Sequence, residues 1–223
     1  MSKCHQEPIE CPYCGAPGEY TLWDSVNVDL DSDLRDKIFS EDLFLWKCPQ
    51  CGKEIHIPFG TLYHDMKNKF MLMYEYYDPE EGKYEPMKIS VPLELSKDYT
   101  MRVVYGLMNL KEKIVILEHG LNDIAIEHMK YMISHLTCPE IAEKGYVLYF
   151  HHIEEPTEEF PYGTIFFFYE DAEKEQLMTI RFAMDNYYEH CMAVDVDPRF
   201  NIGDKCVCID SGYMDINLKK AGL

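Results

Sequence analysis

The chain has 223 residues, enough for one large domain or two small ones. Lys and Arg number 21 against 40 Asp and Glu, so the formal net charge is −19. This charge argues against nucleic-acid binding, because affinity for a phosphate backbone comes mainly from Lys and Arg. It argues equally against binding to an anionic membrane surface. The hydrophobic fraction of 47% is ordinary for a globular protein with a sizeable core.

The N-terminus has no apolar run of the kind found in signal peptides. No window approaches the roughly 18 apolar residues of a membrane-spanning helix. We therefore expect a cytoplasmic protein without a membrane partner. In a reducing compartment its nine cysteines should not form disulfides, and an odd count leaves at least one thiol for another role.

The first third of the chain is predicted to contain short strands and one short helix. Residues 4–20 are predicted to form a loop, and residues 20–29 alternate as a strand does. Asp31 or Ser32 can cap a helix whose apolar stripe includes Leu34 and Ile38. Further strands are predicted at 44–46, 54–57 and 70–77, before an acidic turn at 78–85.

The middle of the chain is predicted to be a helical hairpin. Apolar residues recur every three or four positions from Leu107 to Leu117, and Gly120 fits the end of that helix. Asn122 or Asp123 can cap the second helix. Its predicted inward-facing residues are Leu121, Ile124, Ala125, Met129, Met132, Ile133 and Leu136.

The part of the chain after Pro139 is predicted to be rich in strands. Strands are predicted at 146–153, 164–170 and 177–184, and more weakly at 192–196 and 205–210. The predicted secondary structure changes from helices to strands near residue 140. This change predicts two domains, residues 1–136 and an acidic region at 137–223.

Two cysteine pairs share the pattern C-P-x-C-G and form the strongest motif in the sequence. They are Cys11 with Cys14, and Cys48 with Cys51. Two intervening residues let both sulfurs of a pair face one ion, and Gly can adopt the positive φ of a tight exit. Four thiolates at about 2.3 Å make a closed, tetrahedral, structural zinc site. We predict one Zn²⁺ per chain on these cysteines, with iron as the less favoured metal.

Other groupings of reactive residues give weaker signals. The sequence Cys11-Pro-Tyr-Cys14 is similar to a glutaredoxin motif, but the following Gly-Ala-Pro-Gly disfavours the helix that redox chemistry needs. Cys206 and Cys208 are two apart on a predicted strand, where Cys191 or His190 could join them at an ion. The sequence assigns no role to Cys4 or Cys138. The remaining histidines of interest are His128, His135, His151 and His152, the last two beside Glu154 and Glu155.

The paired knuckles resemble the CpXC family, which is named for this motif. The likeness extends over residues 26–52, the segment Gly-Thr-Leu-Tyr-His-Asp at 60–65, and residues 109–130, and we take it to cover residues 5–136. The resemblance implies a metal-binding domain on the four cysteines, with no known substrate or catalytic residues. His64 matches the family pattern, and we interpret it as a packing or hydrogen-bonding residue.

The fold class predicted from these patterns is α+β. It combines a zinc-ribbon-like N-terminal part containing an inserted strand and helix, a central helical hairpin, and a β-rich C-terminal half with a mixed sheet. Because the predicted zinc site is closed, we favour a scaffold or protein-interaction module with a protein partner. The alternative is an enzyme with a site of histidines and acidic residues in the C-terminal half. The sequence leaves the oligomeric state open.

Overall fold

The computed structural model describes residues 2–76, 98–203 and 205–218. The chain forms two compact units, an N-terminal unit ending at Lys111 and a C-terminal unit beginning at Glu112. Helices and strands occur in both, which confirms the α+β class. The division at residues 136 and 137 stays a prediction, and the predicted acidic turn at 78–85 lies outside the described residues.

The N-terminal unit is built on a five-stranded sheet and a separate two-stranded hairpin. Its strands are β1 (Lys3–Glu10), β2 (Pro17–Asn27), β3 (Leu45–Lys47), β4 (Glu54–His56), β5 (Thr61–Asp65), β6 (Phe70–Glu75) and β7 (Thr100–Tyr105). The five-stranded sheet has the order β1-β2-β5-β6-β7, and β3 pairs with β4. The β2–β5 and β6–β7 pairs are parallel, and the other pairs are antiparallel.

The predicted loop at residues 4–20 is wrong in most of its length. Residues Lys3–Glu10 form β1, which pairs with β2 along its whole length. The side chains of β1 are nearly all exposed, so the strand lacks the apolar alternation that would have indicated it. Backbone pairing orders it instead, helped by the Gln6 amide, which donates to the Thr21 hydroxyl at 2.8 Å.

A strand and a short helix lie between the two cysteine pairs, as predicted. The strand is β2, and the helix is α1 (Asp33–Phe39). Leu34 and Ile38 of α1 are fully buried in the N-terminal unit. A single 3₁₀ turn (Asp42–Phe44) then leads into β3.

The two predicted central helices are present as α2 (Leu107–Glu118) and α3 (Asp123–Met132). The Asn122 side chain caps α3 by accepting the backbone N–H groups of Ile124 and Ala125. The chain then continues into a π-helical turn (Ile133–Thr137). Leu136 was predicted to face inward but is 69% exposed, because the wider turn changes the angular spacing on which that prediction relied.

The C-terminal unit contains a three-stranded sheet in the order β10-β9-β8. Its strands are β8 (Tyr149–Glu154), β9 (Thr164–Asp171) and β10 (Gln176–Ala183), close to the three predicted segments. Every pair is antiparallel, which corrects the expectation of a mixed sheet. The short helix α4 (Glu140–Glu143) precedes the sheet.

The two weak strand predictions near the C-terminus are wrong. Residues 192–196 belong to α5 (Met184–Val196), and residues 205–210 make only an isolated bridge at Val207 before α6 (Ser211–Leu218). A short apolar run cannot by itself distinguish a strand from part of a helix.

The core of the C-terminal unit lies between its helices and its sheet. Ile124 and Met129 of α3 pack in one cluster with Phe150 of β8 and Phe167 of β9. Met184, Tyr187 and Val194 bury one face of α5 in the same cluster. Helix α3 is therefore a structural part of this core.

Candidate metal centre

The four cysteines of the paired motifs meet in the N-terminal unit. The sulfurs of Cys11, Cys14, Cys48 and Cys51 all lie within 4.8 Å of one another. The Cys11 and Cys51 sulfurs are 3.6 Å apart, and those of Cys14 and Cys48 are 3.7 Å apart. Each short distance joins one pair to the other, so both pairs face a common centre.

Each cysteine pair occupies the turn of an antiparallel hairpin, the first between β1 and β2 and the second between β3 and β4. In the first turn the Gly15 N–H donates to the Cys11 carbonyl at 2.8 Å, and the Cys11 N–H donates to the Ala16 carbonyl at 2.9 Å. The second turn repeats both hydrogen bonds at the equivalent positions, each at 2.9 Å. The repeated C-P-x-C-G sequence therefore folds into two equivalent loops.

Glycine is the favoured residue at the exit of each loop. Gly15 and Gly52 both have φ of +70°, in the left-handed region that other residues enter only with strain. This geometry lets the chain reverse directly after the second cysteine of each pair.

The two cysteines within each pair differ in exposure. Cys11 and Cys48 are each 1% exposed, whereas Cys14 and Cys51 are exposed. The cluster therefore has a covered side and an open side.

The thiols differ in how readily they lose a proton. The backbone N–H groups of Cys51 and Gln50 lower the pKa of Cys48 to about 6, although burial opposes this effect. The Ala16 N–H favours the Cys14 thiolate, but burial and the neighbouring sulfurs raise the pKa of Cys14 to about 12. Four thiolates this close together need a cation to be charged at once, and a metal ion would supply it.

The cluster fits a tetrahedral metal ion. Four sulfurs at about 2.3 Å from a central ion stand roughly 3.8 Å apart, close to the Cys11–Cys51 and Cys14–Cys48 distances of 3.6 and 3.7 Å. Among the residues that the structure describes, no other group of three or more His, Cys, Asp or Glu places its ligand atoms this close together.

Direct contacts also join β2 of the first hairpin to β3 of the second and to the 3₁₀ turn that precedes β3. The Trp46 indole N–H donates to the Glu19 carbonyl at 3.0 Å, and the Tyr20 hydroxyl donates to the Leu43 carbonyl. Trp46 lies so close to Gly18 that a Cβ there would stand 2.4 Å from a ring carbon. The sequence does not predict the contact between Gly18 and Trp46, because close packing between distant residues has no local signature.

Comparison with known proteins identifies the family of this fold and cluster. Residues 9–130, more than half of the chain, match the CpXC protein family. The chain belongs to the CpXC family. The matched region of this CpXC chain contains all four clustered cysteines together with α2 and most of α3. No curated protein and no solved structure gives a match. No described helix is long and apolar enough to cross a membrane.

The other five cysteines lie outside the cluster. Cys4 is exposed on β1, and the remaining four are partly buried, namely Cys138, Cys191, Cys206 and Cys208. The Cys208 thiol donates to the Asp210 carboxylate at 3.2 Å. Cys206 and Cys208 flank the bridge residue Val207 and do not lie on a strand.

Two of the histidines considered in the C-terminal unit meet. The Nδ1 atoms of His128 on α3 and His190 on α5 are 2.8 Å apart. Burial lowers the pKa of both, and burial with the neighbouring His128 lowers that of His190 to about 4. His151 and His152 contact each other on β8 instead. The four histidines therefore form two separate pairs.

His64 lies on β5 opposite Asn27 of β2. The Asn27 amide nitrogen is 3.4 Å from His64 Nδ1, and burial is the main cause that lowers the pKa of His64. Asn27 Oδ1 and His64 Nε2 are buried without a hydrogen-bond partner among the described residues. This position agrees with a packing residue of the sheet and adds no ligand to the cysteine cluster.

The C-terminal unit contains a buried network of charged residues that the sequence patterns did not predict. The Lys130 ammonium donates to both oxygens of Glu112, at 2.9 and 3.0 Å, and to Glu127 at 2.9 Å. Glu112 also accepts the backbone N–H of Phe150 at 2.6 Å. Burial raises the pKa of Glu127, although Lys130 opposes that effect. We call Glu112, Glu127 and Lys130 the buried triad.

Proposed function

We propose that this CpXC protein is a structural zinc protein that acts as a scaffold or protein-interaction module. The observation that carries the zinc assignment is the convergence of the four sulfurs within 4.8 Å, with two separations, 3.6 and 3.7 Å, close to the edge of a ZnS₄ tetrahedron. Four protein ligands leave no coordination position for a substrate, so the metal holds the fold together. Zinc is preferred to iron, which the same ligand set can also bind.

A zinc-ribbon-like arrangement is the form that we propose for this part of the chain. Two hairpins, each with a C-P-x-C-G turn, would share one ion between their turns. The chain would pass from the first turn to the second hairpin through β2, a strand of the first hairpin, and α1. In that arrangement the ion and the Trp46 contact would act together to fix one hairpin against the other.

The zinc assignment is tested by metal analysis of the purified protein and two cysteine variants. We expect one zinc per chain, which Cys48→Ser loses. Cys4→Ser is the matched control, because Cys4 is an exposed thiol of the same unit outside the cluster. Metal removal should lower the unfolding temperature of the N-terminal unit, since such ions supply on the order of 10 kcal/mol of folding free energy. Iron with red colour, or unchanged unfolding without metal, would contradict the assignment.

The interaction role is supported by the closed metal site together with the acidic charge of the chain. A net charge of −19 disfavours nucleic acid and anionic membranes and leaves a protein as the favoured partner class. Affinity purification from the native cell, under mild conditions and with zinc retained, should recover a stoichiometric protein partner. Recovery of the chain alone in repeated experiments would count against the role.

The alternative function is an enzyme that uses histidines and acidic residues of the C-terminal half. Its one favourable observation is the contact between His128 and His190, both of which burial favours in the neutral form. The nearby Asp197 carboxylate is held by Arg199, and His151 with His152 forms a separate pair. We therefore prefer the binding module.

A further inference from the structure

Helix α5 has an apolar stripe on its outer face. Tyr188, Met192 and Val196 follow one another at intervals of four residues, which places them along one side of the helix. They are 48%, 63% and 81% exposed. The stripe extends about 12 Å along the helix, at 1.5 Å per residue. Single exposed apolar residues are normal, whereas these three are aligned and together give the helix an apolar surface that a partner can cover.

Carboxylates surround this stripe. Asp185 precedes Tyr188 by three residues, and Glu189 and Asp195 each stand three residues from Met192. All three acidic residues are exposed, and among the described residues none of them makes an ion pair. Helix α5 contains no Lys or Arg. Its outer face therefore combines an apolar centre with an acidic border.

The inner face fixes this helix firmly in the C-terminal unit. Met184, Tyr187 and Val194 are buried in the core. The Tyr187 hydroxyl accepts the Asn122 backbone N–H at 2.8 Å, at the start of α3. The outer stripe is thus presented by a rigid element, which reduces the ordering cost of binding.

We propose that the outer face of α5 binds a basic amphipathic helix of a partner protein. This inference rests on the proposed interaction role and names its surface and its partner chemistry. The partner's apolar side would cover the stripe formed by Tyr188, Met192 and Val196, and its Lys or Arg residues would meet the acidic border. A second copy of this chain fits poorly, because two such faces would place like charges against each other.

The test measures binding of a synthetic peptide to the full-length, zinc-loaded protein. The probe is a helical Leu/Lys peptide with one apolar face, and a peptide with Glu in place of Lys is its control. We expect the Lys peptide to bind more tightly than the Glu peptide, with an affinity that falls as salt is added. The double variant Met192→Ser with Val196→Ser should bind the Lys peptide at least tenfold more weakly.

A matched variant separates the α5 surface from general attraction to an acidic protein. Leu136→Ser with Val147→Ser removes two exposed apolar side chains elsewhere in the unit, and we expect its affinity to stay within twofold of the original. Circular dichroism and zinc content should be unchanged in both double variants. Equal affinity of both variants for the Lys peptide, or no binding by the original protein, would overturn the proposal.

The docking surface and the interaction role can fail separately. A native partner that still co-purifies with the Met192→Ser, Val196→Ser variant would overturn the surface and leave the role intact. Absence of any partner from the original protein would overturn the role itself.

Discussion

Replacing Lys130 with Met removes the cation of the buried triad and leaves two carboxylates behind. The side chains of Glu112 and Glu127 are 4% and 3% exposed, so water cannot replace the lost ammonium group. Removing one partner of a buried ion pair typically costs about 3–5 kcal/mol. Met has nearly the same length, so the lost volume contributes little to this figure.

The cost of neutralising one buried carboxylate gives a free energy of comparable size. Keeping an ordinary carboxyl of pKa about 4.3 protonated at pH 7 costs about 3.7 kcal/mol. In Lys130→Met the folded protein must hold extra protons on its carboxyls, so their folded pKa values lie above the unfolded ones. The penalty is therefore large at neutral pH. It decreases as pH falls towards the unfolded pKa, by up to about 1.4 kcal/mol per pH unit for each carboxyl.

Urea unfolding followed by circular dichroism at pH 7 and pH 5 measures this effect. Glu127→Gln should cost less unfolding free energy than Lys130→Met, because the Gln side-chain oxygen can still accept from the Lys130 ammonium and burial disfavours the charged form of Glu127. Lys47→Met is the exposed control, since Lys47 pairs with Glu54 on the surface, and it should cost at most about 0.5 kcal/mol. A Lys130→Met cost below about 1 kcal/mol, or one that does not depend on pH, would refute this reasoning.

Three further predictions concern local features. Asn122→Ala should lower the unfolding free energy by about 1 kcal/mol in thermal denaturation, because two backbone N–H groups lose their acceptor. Ser32→Ala is the control and should be nearly neutral, because the Ser32 side chain does not cap its helix. Gly18→Ala should destabilise the N-terminal unit by about 1–3 kcal/mol, since the added Cβ would overlap the Trp46 ring. Equal melting temperatures of the variant and the original protein would contradict that packing. Burial and a neighbouring histidine lower the pKa of His190 to about 4, so folding should weaken as pH falls from about 6.5 towards 4, by about 1 kcal/mol after solvent screening. His190→Gln should flatten this acid limb of the stability profile, and an unchanged limb would exclude His190 as its source.

The cysteine cluster was predictable because its information is local. Each C-P-x-C-G segment determines its own turn, and the repetition of the pattern indicates that the two turns share one ion. The start of α3 was predictable for the same reason, since Asn122 acts on the two N–H groups that follow it.

The predictions that were wrong concern features that depend on residues distant in the sequence or on local irregularities of a helix. Strand β1 is ordered by backbone bonds to β2, and its polar side chains carry no periodic signal. Leu136 is exposed because one π-helical turn shifts the spacing. Residues 192–196 resemble a strand only when the buried Met184, Tyr187 and Val194 earlier in α5 are ignored.

The position of α3 has a consequence for how such chains can be divided. The family match ends at residue 130, inside a helix whose apolar residues Ile124 and Met129 are covered by Phe150 and Phe167 from beyond the match. A fragment that stops at residue 136 would expose this apolar surface to water. A CpXC chain with a different C-terminal part would have to cover the equivalent helix by other means, so that part could change its sequence freely only while still providing an apolar cover.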